Sequence, residues 1–218
     1  MTAEDLPTVA PESFRERGEF GDRTAKRTWG VVLAAGESSR FGEENKLLAD
    51  LDGVPLVRRA VAPLVESSLD GVTVVVGHER DRIRPAIDDL PVEIRTNSAY
   101  ETGQSTSVRE GVRAARDHDA DGVLFALGDM PAVDVASMDL LLEAYEYGVA
   151  DALAAACDGQ RGNPVLFDQR FFDRLADVEG DVGGRELLTD RHGARAVETG
   201  DPGVLRDVDR ASDLEDLR

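Results

Sequence analysis

The sequence predicts an α/β fold built on a mostly parallel, twisted sheet, and three observations carry that expectation. Short, continuously apolar runs recur at 29–33, 72–76 and 122–127, as strands buried on both faces do. Stretches with apolar residues at helical spacing lie between them. The alternation implies right-handed crossovers joining parallel strands.

The elements follow in order. Residues 1–28 show no apolar periodicity and read as a flexible or loosely docked N-terminal extension. A first strand at 29–33 runs into a glycine-rich loop. Leu56, Val57, Ala60, Val61, Leu64 and Val65 then mark a helix over 55–68, with Pro55 suited to its first turn. Strands are expected at 72–76, 92–95, 122–127, 152–157, 165–167 and 204–208. Helices are expected at 80–89, 105–117, 135–147, 169–176 and 185–189, with a helical tail from Ser212. Gly77 and Gly148 punctuate element ends. In such sheets ligands bind beyond the carboxyl ends of the strands.

Composition narrows the function. Acidic residues outnumber basic ones 44 to 25, for a formal charge of −19, which argues against nucleic acid as a partner. The acids are spread along the whole chain, and Lys26 and Lys46 are its only lysines. That pattern suits a surface screened by a salt-rich cytoplasm and points to a halophilic origin, which predicts stability that falls in dilute buffer. No apolar run approaches the roughly 20 residues needed to cross a bilayer, and the polar N-terminus lacks a signal-peptide core. A cytoplasmic protein without a membrane partner is expected. The single cysteine, Cys157, can form no internal disulfide, and its apolar surroundings suggest a buried thiol. His78, His118 and His192 match no catalytic spacing and read as surface or loop residues.

Chemistry concentrates after the first strand, in Leu33-Ala-Ala-Gly-Glu-Ser-Ser-Arg-Phe-Gly42. Small residues at Gly36, Ser38, Ser39 and Gly42 let backbone amides approach an anion, and successive amides form a nest for phosphate oxygens. Arg40 adds a planar cationic fork and Lys46 a compact point charge. An ordinary strand-to-helix turn with solvated cations is the plain alternative. The loop is neither a Walker loop nor a dinucleotide fingerprint, since both the GK[ST] ending and GxGxxG are missing. Farther on, Asp129 follows the apolar run 122–127. A carboxylate there can reach a hard cation, although a Gly-Asp pair also commonly just makes a turn.

The string LAAGxSxRFGxxxK resembles the signature of the MobA-like nucleotidyltransferases, the relatives of molybdenum cofactor cytidylyltransferase and molybdopterin-guanine dinucleotide synthase. The resemblance covers residues 29–218 and implies a three-layer α/β/α nucleotidyltransferase domain, Rossmann-like and of the nucleotide-diphospho-sugar transferase type. It implies that Leu33, Ala34, Ala35, Gly36, Arg40 and Lys46 bind a nucleoside triphosphate, together with Gly103, Gln104 and Ser105. Gly128-Asp129-Met130-Pro131 looks like the family's metal station, making Asp129 a magnesium ligand. Asp207-Val-Asp209 resembles the family ending that supplies a second ligand, Asp209, with Asp207 nearby. Arg210 and Ala211 depart from the family's Thr-Pro at that point. Gly162-Asn163-Pro164 and Gly180-Asp181-Val-Gly-Gly-Arg185 resemble segments that face the acceptor.

The Ala-Ala-Gly spelling is similar to the cytidylyltransferase branch, which favours CTP over GTP. The implied reaction moves CMP onto a phosphorylated acceptor, molybdopterin, using Mg2+, Arg40, Lys46 and Asp129. A molybdoenzyme or maturation factor would be the protein that receives the cofactor. Guanylyl transfer, transfer to a sugar phosphate or other metabolite, a non-catalytic nucleotide sensor and a dinucleotide-dependent oxidoreductase are the competing readings.

Overall fold

The computed structural model describes residues 6–16, 20, 22–37, 41, 44–180, 184–188, 193–215 and 217. Its centre is an eight-stranded sheet formed by β1 (Thr8–Val9), β2 (Thr28–Ala34), β5 (Gly71–Val76), β6 (Glu93–Thr96), β7 (Gly122–Leu127), β8 (Ala152–Cys157), β9 (Gln160–Asp168) and β10 (Arg195–Glu198). The spatial order is β1-β10-β8-β9-β7-β2-β5-β6. Pairing is parallel except where β9 runs antiparallel between β7 and β8. A separate two-stranded hairpin joins β3 (Asp50–Leu51) to β4 (Val54–Pro55).

Side-chain alternation sorts each strand into two apolar layers. On one face Val32, Ala34, Val74, Val76, Leu124 and Ala126 pack with α2 (Leu56–Glu66) and α5 (Val135–Glu146). On the other, Val31, Val75, Val123 and Phe125 meet α4 (Gln104–Asp117) and α6 (Phe172–Asp177). The three-layer α/β/α arrangement expected from the sequence is therefore the observed one. Cys157 is buried, as its apolar neighbours suggested.

The described part of the N-terminal segment makes local contacts with the domain. Thr8 and Val9 extend the sheet beside Ala196 and Val197, and α1 (Pro11–Arg15) buries Phe14 at 1% exposure. Burying such a ring contributes about 1.5–3 kcal/mol, more than the short segment's polarity would suggest. Lys26 lies 3.6 Å from the Tyr145 ring centroid and 3.8 Å from the Asp168 carboxylate, pinning the approach to β2. Several expectations are corrected. The helix expected at 80–89 breaks into α3 (Arg80–Ile83) and a tight turn at Arg84–Ala86, because Pro85 has no amide to donate.

No strand forms at 204–208. The Asp201 carboxylate instead accepts from the amide of Gly203 at 2.7 Å and caps a tight turn at Pro202–Leu205. The same carboxylate accepts from the Asp134 amide at 2.9 Å and the Ser137 hydroxyl at 2.8 Å, which ties that turn to the start of α5. The expected tail helix is a single tight turn, Ala211–Leu214. His118 is more than a surface residue: its ring stacks on Trp29 at 3.7 Å and its Nε2 lies 3.2 Å from Glu93. His78 keeps about a third of its side chain exposed, whereas His192 lies outside the described residues. Among the described residues no helix is long and apolar enough to cross a membrane.

Candidate active site

Two adjoining cavities open beyond the carboxyl ends of the central strands, sharing Leu33, Gln104 and Leu127 in their walls. The first, of about 510 Å³, is lined by the start of the glycine-rich loop, Leu33, Ala34, Ala35, Gly36 and Glu37, together with Lys46, Asp129 and Asp209. Ala35 is fixed by its carbonyl, which accepts the His78 amide at 3.2 Å, and Leu33 by its carbonyl, which accepts the Gly128 amide at 3.0 Å. The loop is thereby anchored to β5 and β7. Arg40, Ser38, Ser39 and Gly42 lie outside the described residues.

Lys46 begins a tight turn, Lys46–Leu48, whose first amides are capped by the Asn45 side chain accepting from Leu47 at 3.0 Å. Its ammonium donates to Asp129 Oδ2 at 2.6 Å and to Asp209 Oδ1 at 3.2 Å. Two carboxylates that are 80 residues apart in sequence thus converge on one cation. Asp129 sits just past β7. Asp209 is delivered by the C-terminal strap, where the Val208 amide donates to the Asp129 carbonyl at 2.9 Å and Val208 and Leu214 pack on Leu51 and Leu56. Asp213 then accepts from the amides of Asp209 and Arg210 at 2.9 and 2.7 Å, fixing the bend.

Burial lifts the Asp129 carboxyl above the ordinary carboxylate range, and Asp207 adds to the rise while Lys46 opposes it. Burial would lower the Lys46 ammonium, but Asp129 and Asp209 outweigh it and hold the group above its usual value. The surplus negative charge around Asp129 therefore favours a further cation. Among the described residues there is no group of three or more His, Cys, Asp or Glu able to cage a metal alone. Two hard carboxylate oxygens nevertheless fit magnesium, which is usually held by one or two carboxylates plus substrate phosphates. The Lys46 ammonium marks the point on which they converge.

Of the turn ahead of α4, Gly103 and Gln104 line this cavity. Gly103 has φ 113°, which a side chain would strain, so the glycine there is a backbone requirement. Ser105 is fully buried with its amide on the Gly180 carbonyl at 3.0 Å, and it is Ser107 that reaches the cavity wall. Asn97 shapes the turn, donating to Thr106 and Ser107 at 2.8 and 2.9 Å and accepting from the Ala99 amide at 2.9 Å. Sequence reading missed Glu37, Tyr100 and Glu101, which also line the cavity. Glu37 sits inside the glycine-rich string but carries no charge suited to phosphate, and Tyr100 and Glu101 reach the cavity because they follow the end of β6.

The second cavity, of about 580 Å³, has an apolar floor of Val108, Phe125, Met130, Val165 and Phe167. Gln160, Arg161, Asn163 and Asp207 bring polar groups to its wall. Gly162 and Asn163 line this cavity, as does Asp207. Gly184 also lines it, but Asp181, Gly183 and the side chain of Arg185 lie outside the described residues.

Comparison with known proteins agrees with this arrangement. A family model described as the MobA-like NTP transferase domain matches residues 30–196. The purine catabolism protein PucB of Bacillus subtilis is 32% identical over 200 residues, covering 87% of this chain and 95% of PucB. Nicotine blue oxidoreductase of Paenarthrobacter nicotinovorans is 27% identical, covering 89% of this chain and 98% of that protein. Among solved structures, a nucleotidyl transferase from Methanothermobacter superposes with a TM-score of 0.76 at 26% identity, over 89% of this chain and 97% of its own. The Rv0371c protein of Mycobacterium tuberculosis, solved as a complex with manganese, gives a TM-score of 0.73 at 25% identity over 88% of this chain and 97% of its own. The chain is a nucleotidyltransferase and belongs to the MobA-like NTP transferase family.

Proposed function

We propose that the chain transfers CMP from CTP to a phosphorylated acceptor, molybdopterin, and releases pyrophosphate. The observation that carries this reading is the convergence of Asp129 and Asp209 on Lys46 at the mouth of the glycine-rich loop. An acceptor phosphate oxygen attacks the α-phosphorus; a new P–O bond forms, the bond to the bridging oxygen breaks, and pyrophosphate leaves with that electron pair. The attacking oxygen is already an anion, so no strong general base is needed. Catalysis then rests on in-line positioning and on neutralising charge as it grows.

Lys46 and the loop amides hold the triphosphate, with Arg40 as a second cation from the same loop. Asp129 and Asp209 would hold Mg2+, which would supply positive charge to offset the charge developing on the phosphates. Support for a metal at this place comes from the donor chemistry, and the Mycobacterium tuberculosis relative solved in complex with manganese supports a divalent ion in general. The half-apolar second cavity suits an acceptor with a ring system and a phosphate, and its wall meets the first cavity at Leu33, Gln104 and Leu127.

Pyrophosphate release with CTP, GTP, ATP and UTP, each with Mg2+ and purified molybdopterin, tests the reading. CTP is expected to give the fastest release, and release should require the acceptor. Nucleotide binding without release from any of the four would mark a sensor. Release with a sugar phosphate but not with molybdopterin would replace the acceptor. The oxidoreductase name of one relative makes a nicotinamide-oxidation control worth running; activity there without pyrophosphate release would overturn nucleotidyl transfer.

A further inference from the structure

The nucleotide cavity has two chemically unlike ends. Beyond β7 lies Lys46 between its two carboxylates. Beyond β6 lies the turn Tyr100–Thr102, with Tyr100 and Glu101 in the cavity wall and Glu37 joining them from the loop after β2. In the sheet β7 and β6 are separated by β2 and β5. Three inter-strand steps of ~4.8 Å put roughly 14 Å between the two strand ends. Tyr100 closes part of that gap. A Cβ on Gly77 would lie 2.8 Å from the Cβ atoms of both Tyr100 and Ala35, and the Tyr100 ring meets the His78 ring edge-on with centroids 5.9 Å apart, which places the tyrosine beside the ends of β2 and β5.

A triphosphate bound with a divalent cation would find its charge answered by Lys46 and by the cation that Asp129 and Asp209 would hold, whereas Glu37 and Glu101 only repel it. A nucleotide in this cavity therefore places its phosphates beyond β7 and its base toward Tyr100 and Glu101. The neighbouring carboxylates are close enough to matter chemically: after partial burial, Glu101 and then Glu37 hold the Tyr100 phenol above its ordinary pKa.

We infer that the Glu101 carboxylate selects the base, accepting a hydrogen bond from the exocyclic amino group of cytosine. The inference rests on the cavity being the nucleotide site of the transfer reaction. An ionised carboxylate only accepts hydrogen bonds. Cytosine presents an amino donor at the position where uracil presents a carbonyl oxygen. Uracil would set two acceptors face to face and leave both unpaired, and sites built on such a hydrogen bond reject the analogue lacking the donor.

The test is equilibrium titration of the full chain with CTP and with UTP in the presence of Mg2+, for the wild type and for Glu101→Gln. Glutamine can turn its amide to offer either an acceptor or a donor. The wild type is expected to bind CTP about ten- to a hundredfold more tightly than UTP, equivalent to about 1.4–2.8 kcal/mol. In Glu101→Gln the ratio should fall to near one, with CTP weaker and UTP tighter. A purely structural role for Glu101 would weaken both nucleotides together, and that result overturns the inference, as does an unchanged ratio. A wild type that binds neither nucleotide overturns both the inference and the transfer reading beneath it, whereas binding and turnover with an unchanged ratio overturns the inference alone.

Discussion

Asp129→Asn is expected to lower turnover with CTP by about a hundred- to a thousandfold while leaving the fold intact. The magnitude is that of removing one preorganised charge-stabilising group from a reacting phosphate. Asparagine keeps the shape of the side chain and still accepts from Lys46, so the packing beyond β7 is preserved. The substitution also removes a carboxylate that burial and Asp207 make costly to ionise. Thermal stability should therefore stay level or rise, the usual trade between activity and stability at a strained site. Turnover measured beside a melting curve separates the alternatives. Wild-type turnover would sink the assignment of Asp129, and a collapsed melting temperature would make any activity loss uninformative about chemistry.

Gly162→Ala should cost about 3 kcal/mol, a drop of roughly 6–12 °C in melting temperature for a chain of this size. A Cβ at this position would stand 1.9 Å from the Val204 carbonyl oxygen and 2.7 Å from its carbon, and those are backbone atoms of the turn that Asp201 caps. Something must move, and the turn is tied to α5 through Asp134 and Ser137. Val204 and Leu205 also wall the second cavity, so the displacement should raise the KM for the acceptor more than that for CTP. A variant with unchanged melting temperature and unchanged acceptor KM would contradict the close approach of these segments.

Both substitutions fall at places that the sequence reading had reached for different reasons. Asp129 stood out because it follows an apolar strand, where α/β sheets place ligand-binding groups, but a Gly-Asp pair alone reads as a turn and the metal role came from the family resemblance. Gly162 was legible only through the family resemblance, and its physical reason, the crossing of a distant backbone, is not written locally. The strands that escaped notice share a cause. Arg195 and Glu198 bracket β10, and the polar start of β9, ahead of the expected 165–167, lines a cavity instead of packing on a helix, so neither stretch shows the apolar run of a doubly covered strand. In the N-terminal segment the polar composition hides two edge-strand residues, Thr8 and Val9, and one buried ring, Phe14. Asp201 was invisible for a related reason: its three hydrogen-bond donors come from Asp134, Ser137 and Gly203, two of them far away in sequence. Conversely, the scarcity of lysine pointed well. Lys26 braces the entry to β2, and Lys46 stands at the centre of the site.

The central claim is that a nucleoside triphosphate lies across the strand ends, with its phosphates and a divalent ion at Lys46, Asp129 and Asp209. The most direct measurement is a crystal structure grown with CTP and Mn2+, with the ion located by its anomalous signal. The expected map shows manganese bound by Asp129 and Asp209, the triphosphate against the glycine-rich loop and Lys46, and cytosine beside Tyr100 and Glu101. Manganese bound away from both carboxylates, or a nucleotide with its phosphates at the Glu101 end, would contradict it.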